Sequence, residues 1–498
     1  MANSPPAPSN RDSITTMAKA CVIQACPHTS VNSLPDEILM EILQSIPQYT
    51  GRRKDYYNLC LVKPFKEVAT ECLYQAVNFR KDGPMLVPLL RTVLQFPELA
   101  ALVRDLNLQD YTYRPQTPTS TDVALFSKHI QALGLHTEDE AWWIDSLGND
   151  ETCAAVLLTM LLFHTPNITS LCTMHYLDWI PILPLINSDD FLRVGSAQFW
   201  SAALGPFRHS MLENSRPDYR KLNSITLLDE CLNVPSTAPL FKLESLRDLG
   251  FNCVYEPRPR SRWQWDPDAF PRCSSKVTRL AMSWQICLHI DAIALVITTC
   301  KNLESLELVG RLLNPTPLTG GQLQNSLLLM SESLRYLSII HTRLPLESFS
   351  KAPLISLKQF KKLEFLRIDV FVIYPRCKPV HWSKLSDVLP QSIKRLRIEG
   401  LPPSLLENIT GESGWLSNLV GNADTILPHL NYLVFAYYHD PQNDVDQYYD
   451  YTFKDGALVD ELQRRKIYFH IFCYGLRVPV NDPVEVDNFD RSNFPRPF

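Results

Sequence analysis

The most regular feature of the chain is a six-residue pattern of apolar positions, Leu-x-x-Leu-x-Leu with Ile, Val, Met or Phe as substitutes. It occurs as "LNSITL" from Leu222, "LRDLGF" from Leu246, "VTRLAM" from Val277, "LESLEL" from Leu303, "LRYLSI" from Leu334, "LEFLRI" from Leu363, "IKRLRI" from Ile393 and "LNYLVF" from Leu430. The second apolar positions (Ile225, Leu249, Leu280, Leu306, Leu337, Leu366, Leu396 and Leu433) advance by 24 to 37 residues, near the period of leucine-rich repeats. Weaker copies precede them, "VRDLNL" at Val103 and "ITSLCT" at Ile168. Alternation within each motif predicts a strand with apolar residues on one face. Intervening runs such as "DAIALVITTC" and "LQNSLLLMSES" read as helical or irregular returns. Each unit has an apolar face it cannot bury alone, so stacked neighbours must make the core. The repeats lack the usual Asn three residues past the third apolar position: Arg311, Thr342, Phe371 and Leu401 stand there. A large α/β domain whose strands merely share an apolar pattern is the competing interpretation.

A second pattern lies near the N-terminus. Leu34, Ile38, Leu39, Ile42 and Leu43 recur at spacings of three and four, the stripe of an amphipathic helix. Ser33 and Asp36 form a start signal like a capping box, and Pro35 is tolerated in the first turn. A polar linker, "PQYTGRRKD", is expected before "YYNLCLV". A further helix, "PFKEVATECLYQAV", carries Phe65, Val68, Ala69, Cys72, Leu73 and Val77 on one side. A unit of this size buries too little surface to be comfortable alone and usually needs a partner or a neighbouring domain.

The segments "LPDEILMEIL" and "LCLVKPFKEVATECLYQAV" resemble the F-box, and the "LCLVxxxFxxxAxxxLY" wording is similar to its fungal branch. The resemblance covers about a tenth of the chain, and the "PQYTGRRKDYY" linker departs from the family pattern. It implies a surface that binds a Skp-type adaptor and, through it, the cullin and RING subunits of a ubiquitin ligase. Carried over by position, the adaptor contacts are Leu34, Pro35, Ile38, Leu39, Ile42, Leu61, Val62, Phe65 and Leu73.

The expected fold class is therefore α/β: an N-terminal three-helix F-box followed by a curved leucine-rich-repeat-like solenoid. The expected divisions are a disordered tail over 1–32, the helical unit over 33–79, an irregular helical and first-repeat region over 80–220, the repeat array over 221–475, and a C-terminal tail over 476–498. In the array, strand alternation sends the residues between the leucines to the expected concave face. Tyr336, Phe365 and Tyr432 there flank Arg367, Arg395 and Arg397. Aromatic and arginine side chains are the commonest interface anchors, and arginine forks suit carboxylate or phosphate, so an acidic or phosphorylated protein substrate is expected on these six residues. Two further loops stand out, "YEPRPRSRWQWDPDAFPRC" from Tyr255 and "YYHDPQNDVDQYYDYTF" from Tyr437.

Composition narrows the function classes. A net charge of −5 over 498 residues gives no electrostatic reason for nucleic acid or an anionic membrane as partner. The N-terminus lacks the charged and apolar regions of a signal peptide, and the apolar runs 154–163 and 292–297 are too short to span a bilayer. A cytoplasmic or nuclear location is expected. The 13 cysteines include no CxxC pair, which favours reduced thiols, and the Cys21, Cys26, His28 cluster lacks a second ligand pair for zinc. Phosphate-binding, zinc-protease and nucleophile-elbow motifs are absent, and the "GG" of "LTGGQLQ" reads as a turn. The expectation is a non-catalytic subunit without cofactor or metal. A repeat scaffold with no ligase role, its helices capping the solenoid, is the alternative.

Overall fold

A computed structural model describes residues 35–45, 52–79, 86–108, 118–134, 137–149, 153–175, 219–229, 238, 240–252, 270–284, 290–310, 320–341, 357–373, 388–401, 416, 419, 421–438 and 456–474. The chain divides into two compact units, residues 1–77 with 102–104, and residues 78–101 with 105–498.

The first unit holds helix α1 (Asp36–Ser45), helix α2 (Arg52–Cys60), a 3-10 turn (Lys63–Phe65) and helix α3 (Lys66–Gln75). The helical stripe is split between two environments. Leu39 and Leu43, one turn apart, are buried with Tyr56, Val68, Ala69 and Cys72, while Met40, Leu59, Phe65 and Leu73 pack around them. The Tyr56 hydroxyl donates to the Leu43 carbonyl at 3.1 Å, so the one polar atom of that buried ring is satisfied. Helix α2 corrects the expected linker, because Arg52, Arg53, Lys54 and Asp55 belong to the helix. Basic residues in a first turn oppose the helix dipole, which is why these residues read as linker.

Strand β1 (Ala76–Asn78) straddles the boundary between the units. Among the described residues the second unit carries eleven further strands, β2 (Asp105–Leu108), β3 (Ser170–His175), β4 (Ser224–Asp229), β5 (Asp248–Asn252), β6 (Arg279–Trp284), β7 (Ser305–Gly310), β8 (Tyr336–His341), β9 (Phe365–Asp369), β10 (Arg395–Leu401), β11 (Tyr432–Tyr438) and β12 (Tyr468–Tyr474). From β2 to β12 they pair in sequence order, and every pair is parallel. The weak motifs at 103 and 168 supply β2 and β3, so the parallel array begins at Asp105, well before residue 221.

Register follows the motif. Leu106, Leu171, Ile225, Leu249, Leu280, Leu306, Leu337, Leu366, Leu396 and Leu433 stand opposite one another from strand to strand, all buried. The residue after each motif's first apolar position adds a backbone device. Its carbonyl accepts two N–H groups from the next coil: Glu304 accepts from Arg335 at 2.8 Å and Tyr336 at 3.0 Å, and Arg335 accepts from Glu364 at 2.9 Å and Phe365 at 3.0 Å. The arrangement recurs at every junction from β3–β4 to β10–β11. A serine just before the motif ties three coils further. Ser245 donates to the Leu222 carbonyl, Ser333 to Leu303 and Ser392 to Leu363, each at 2.8 Å.

Helices α4 (Leu86–Gln95), α5 (Pro97–Ala100), α6 (Ser120–Ala132), α7 (Thr137–Ser146) and α8 (Cys153–His164) precede β3. The twelve apolar-rich residues of α8 form a buried helix: Val156, Met160 and Leu161 are 0% exposed. Among the described residues no helix is long and apolar enough to cross a membrane. Helix α6 opens with a full capping box, Thr119 and Asp122 bonding each other's backbone N–H, and Arg91 bonds the Asp122 carboxylate. Later returns are helices α9 (Ile290–Thr299), α10 (Gly320–Leu328), α11 (Val370–Ile373), α12 (Ala423–Ile426) and α13 (Gly456–Arg464). The Gly320–Gly321 pair, expected as a turn, opens helix α10 instead. Of the four residues in place of the usual Asn, Phe371 lies in α11 and Leu401 ends β10. Arg311 and Thr342 lie outside the described residues.

His129 of α6 and His164 of α8 meet edge to face, ring centroids 5.3 Å apart. Burial, and secondarily the charge of His129, pushes the His164 pKa down to about 4. The folded state thus resists a proton that the unfolded chain accepts near the ordinary histidine value of about 6.5. Stability contributed by the neutral ring is present above that value and falls as pH drops towards 4. His164→Gln is expected to flatten this acid limb in urea unfolding series run between neutral and acid pH. Ser333→Ala and Ser392→Ala should each cost about 1 kcal/mol by the same measurement, and a neutral result would remove the serine ties from the account.

Candidate functional site

The strand face opposite the leucine column carries the residues expected to bind substrate. Its first row, read through the pairing register, runs Tyr336, Phe365, Arg395, Tyr432, Tyr468 on five consecutive strands. Tyr336 and Phe365 stack with centroids 4.5 Å apart and 3° between planes. Tyr432 and Tyr468 do the same at 5.1 Å and 8°, and His470 of β12 stacks on Tyr468 at 6.4 Å. Cross-strand pairing of aromatic residues is among the stronger same-face contacts in sheets. Each ring lends one face to its neighbour. Phe365, second in the row, is 8% exposed and Tyr468, at its end, 55%.

The second row places Glu307, Ser338, Arg367 and Arg397 side by side, and Glu399 follows two residues after Arg397. Arg367 Nε donates to Glu399 Oε1 at 2.7 Å and Arg397 Nε donates to the same oxygen at 2.6 Å. The Glu399 side chain is 1% exposed. Burial alone would raise its pKa, but the two guanidinium groups reverse this and hold the carboxyl below its ordinary range. Glu307 moves the other way, because desolvation outweighs attraction from Arg367. Desolvation likewise raises Tyr336, reinforced by the Glu307 charge. A buried pair of this kind is costly to break, since removal of one partner leaves an uncompensated charge.

This geometry corrects the expectation of free arginine forks. Arg367 and Arg397 are brought together, yet both are already engaged by Glu399, and Arg397 is itself buried. Arg395 stands apart from them in the aromatic row. The sequence pattern passes over Glu399 because it lies one alternation beyond the six-residue motif. Beside it, Gly400 adopts φ +72°, and a Cβ there would come within 2.7 Å of the Asp369 carboxylate. Only glycine fits that turn of the backbone, where the β10–β11 register also shifts.

In the first unit, the expected adaptor contacts sort by exposure. Pro35, Ile38, Leu61 and Val62 are exposed, with Ile38 at 42%, Leu61 at 75% and Val62 at 45%. Leu39 is corrected to a core position at 2%, and Phe65 and Leu73 pack half-buried against the same core. Leu34 and the side chain of Ile42 lie outside what the structure describes. Tyr57, which the sequence pattern does not single out, is 61% exposed next to the inward Tyr56. Four of the seven exposed large apolar side chains among the described residues therefore belong to this small unit.

Among the described residues no three His, Cys, Asp or Glu side chains gather as a metal site, and Cys60, Cys72, Cys153, Cys172, Cys273 and Cys300 are free thiols. Cys21, Cys26 and His28 lie outside them, as do the two loops from Tyr255 and Tyr437 except for their ends.

Comparison with known proteins adds little. No family model matches the chain, and no curated protein does. A crystal structure of a Bacteroides fragilis protein aligns at 13% identity over 51% of this chain, with a TM-score of 0.24. The chain spans 66% of that protein's length, and a likeness of this size bears on neither fold nor function.

Glu399→Gln is expected to lower stability by roughly 3 kcal/mol or more, since Arg397 would stay buried beside a neutral amide. The wild type should also lose stability as pH falls through the depressed Glu399 value, and the variant should lack that loss. Urea unfolding at a series of pH values measures both, and equal acid limbs would show that the carboxylate is not held this way.

Proposed function

We propose that this chain is the substrate-recognition adaptor of a Skp–cullin–F-box ubiquitin ligase. Its first unit is a three-helix F-box that docks on the Skp-type adaptor. Its parallel array is a leucine-rich-repeat-like solenoid that presents a protein substrate to cullin and RING subunits. The chain contributes no catalytic residue in this reading, and ubiquitin transfer belongs to those other subunits.

One observation carries the proposal. The first unit closes a core of its own around Leu39, Leu43 and Tyr56, yet it leaves Ile38, Leu61 and Val62 exposed. These three stand at positions that the F-box resemblance assigns to the adaptor. Burying each against a partner would contribute roughly 1.5–3 kcal/mol before association costs. The alternative, a scaffold whose helices merely cap the repeats, calls for the stripe to be buried within the chain. The exposure of these side chains favours the ligase reading.

The test is calorimetric titration of the full chain with a purified Skp-type adaptor. Wild type should bind saturably. Ile38→Asp with Leu61→Asp should weaken binding by about 2 kcal/mol or more, roughly thirty-fold, with an unchanged unfolding midpoint because both side chains already face solvent. Leu39 is unsuitable for this purpose, since a charge there would disrupt the core. A well-folded wild type that fails to bind would leave the scaffold reading.

A further inference from the structure

Parallel pairing puts the residues that lead into every strand on one edge of the sheet, because all strands run the same way. The seven residues before each strand from β3 to β12 make up that edge, and their charges do not balance. They hold 15 lysines and arginines against six acids. Of the chain's 48 basic and 53 acidic residues, 33 and 47 therefore lie elsewhere, so a chain that is acidic as a whole is basic along this edge. Neighbouring strands stand about 4.8 Å apart, so the row from β3 to β12 is on the order of 40 Å long.

The coil before β9 carries three of these lysines. Lys358, Lys361 and Lys362 are exposed there, with Arg335 exposed on the preceding coil and Lys394 on the following one. Glu332 engages Lys361 at 2.7 Å, and Glu364 engages Lys394 at 2.9 Å. Arg335, Lys358 and Lys362 form no ion pair among the described residues, so their charges face water uncompensated. The aromatic residues of the edge decide what kind of anion suits it. Phe163, Tyr219, Phe241 and Phe360 are all buried. Single-stranded nucleic acid needs exposed rings on which its bases stack, and none of these is offered. A run of carboxylates on an extended polypeptide needs only a line of cations in water.

We propose that this basic edge docks a carboxylate-rich segment of a partner protein. This rests on the substrate-presenting role argued above. It puts an acidic substrate on the edge of the array and not on the strand face that Glu399 compensates.

The test uses the full-length chain and a fluorescently labelled peptide of about twelve glutamates, a length that matches the row, followed by anisotropy at about 0.1 M salt, where charges more than about 10 Å away are screened. Saturable binding is expected. Lys358→Glu with Lys362→Glu should weaken it at least tenfold without moving the unfolding midpoint, because both side chains are exposed. Lys63→Glu with Lys66→Glu, the same charge change on exposed positions of the first unit, should leave it unaltered. Absence of saturable binding overturns the proposal, as does binding that the first double variant leaves intact or that the second weakens equally. An oligouridylate of equal charge that binds more tightly than the peptide overturns it in favour of nucleic acid. Salt-sensitive self-association of the chain in sedimentation, in place of peptide binding, overturns it in favour of a second copy. Titrating the same preparation with the Skp-type adaptor separates the two readings. Adaptor binding without peptide binding overturns only the peptide class, and peptide binding without adaptor binding overturns only the ligase role.

Discussion

Register between neighbouring coils is the constraint on which the second unit depends. A parallel sheet has no hairpin to fix its pairing, so each strand must find its place through what it buries. Here one leucine or isoleucine per coil is stacked over its counterpart from Leu106 to Leu433. A slip of one residue would turn every one of them to the opposite face. The doubly accepting carbonyl at each junction from β3–β4 to β10–β11 reinforces the same register, since two successive N–H groups must find one oxygen. Side-chain and backbone terms thus specify one alignment, and the returns between strands are free to differ in length and in helical content.

That freedom explains the irregular repeat. Steps of 24 to 37 residues would be hard to reconcile with a rigid return helix, but the register is fixed at the strand and not in the return. The returns include a nine-residue helix before β8 and a four-residue helix after β9. The opposite face inherits the alignment without extra cost. Because the leucines are in register, the residues between them are too, and rows of unlike side chains form across strands far apart in sequence. Tyr336 and Phe365 stack, and so do Tyr432 and Tyr468, because the leucines beside them are aligned.

Much of this alignment is legible in the amino-acid sequence, and the limits have physical causes. Strand positions and the inward column follow from alternation, and the outward row follows from the same rule. Glu399 does not, because ion pairing is a property of the folded neighbourhood and leaves no periodic trace. The serine ties are readable in principle in "ESLRDL", "SESLRYL" and "PQSIKRL", where serine recurs just before the motif. In the first unit the spacing identifies a helical stripe but does not divide it. Ile38 and Leu39 both satisfy a three-and-four rule, and only the packing of α2 and α3 decides that Leu39 faces in. The histidine pair is hidden for a similar reason, its members being 35 residues apart on different helices.

The two units treat their outward side chains in opposite ways. The first leaves aliphatic side chains in water, a state that burial against a partner would relieve. The second engages Arg367 and Arg397 with Glu399 and stacks Tyr336 on Phe365 and Tyr432 on Tyr468. An aliphatic surface of the first kind suits a constant partner bound through area. A compensated surface of the second kind gains less from burial and more from matching, because a ligand must replace or complement interactions already made. On the adaptor reading proposed above, discrimination among substrates would fall to the second unit and common assembly to the first.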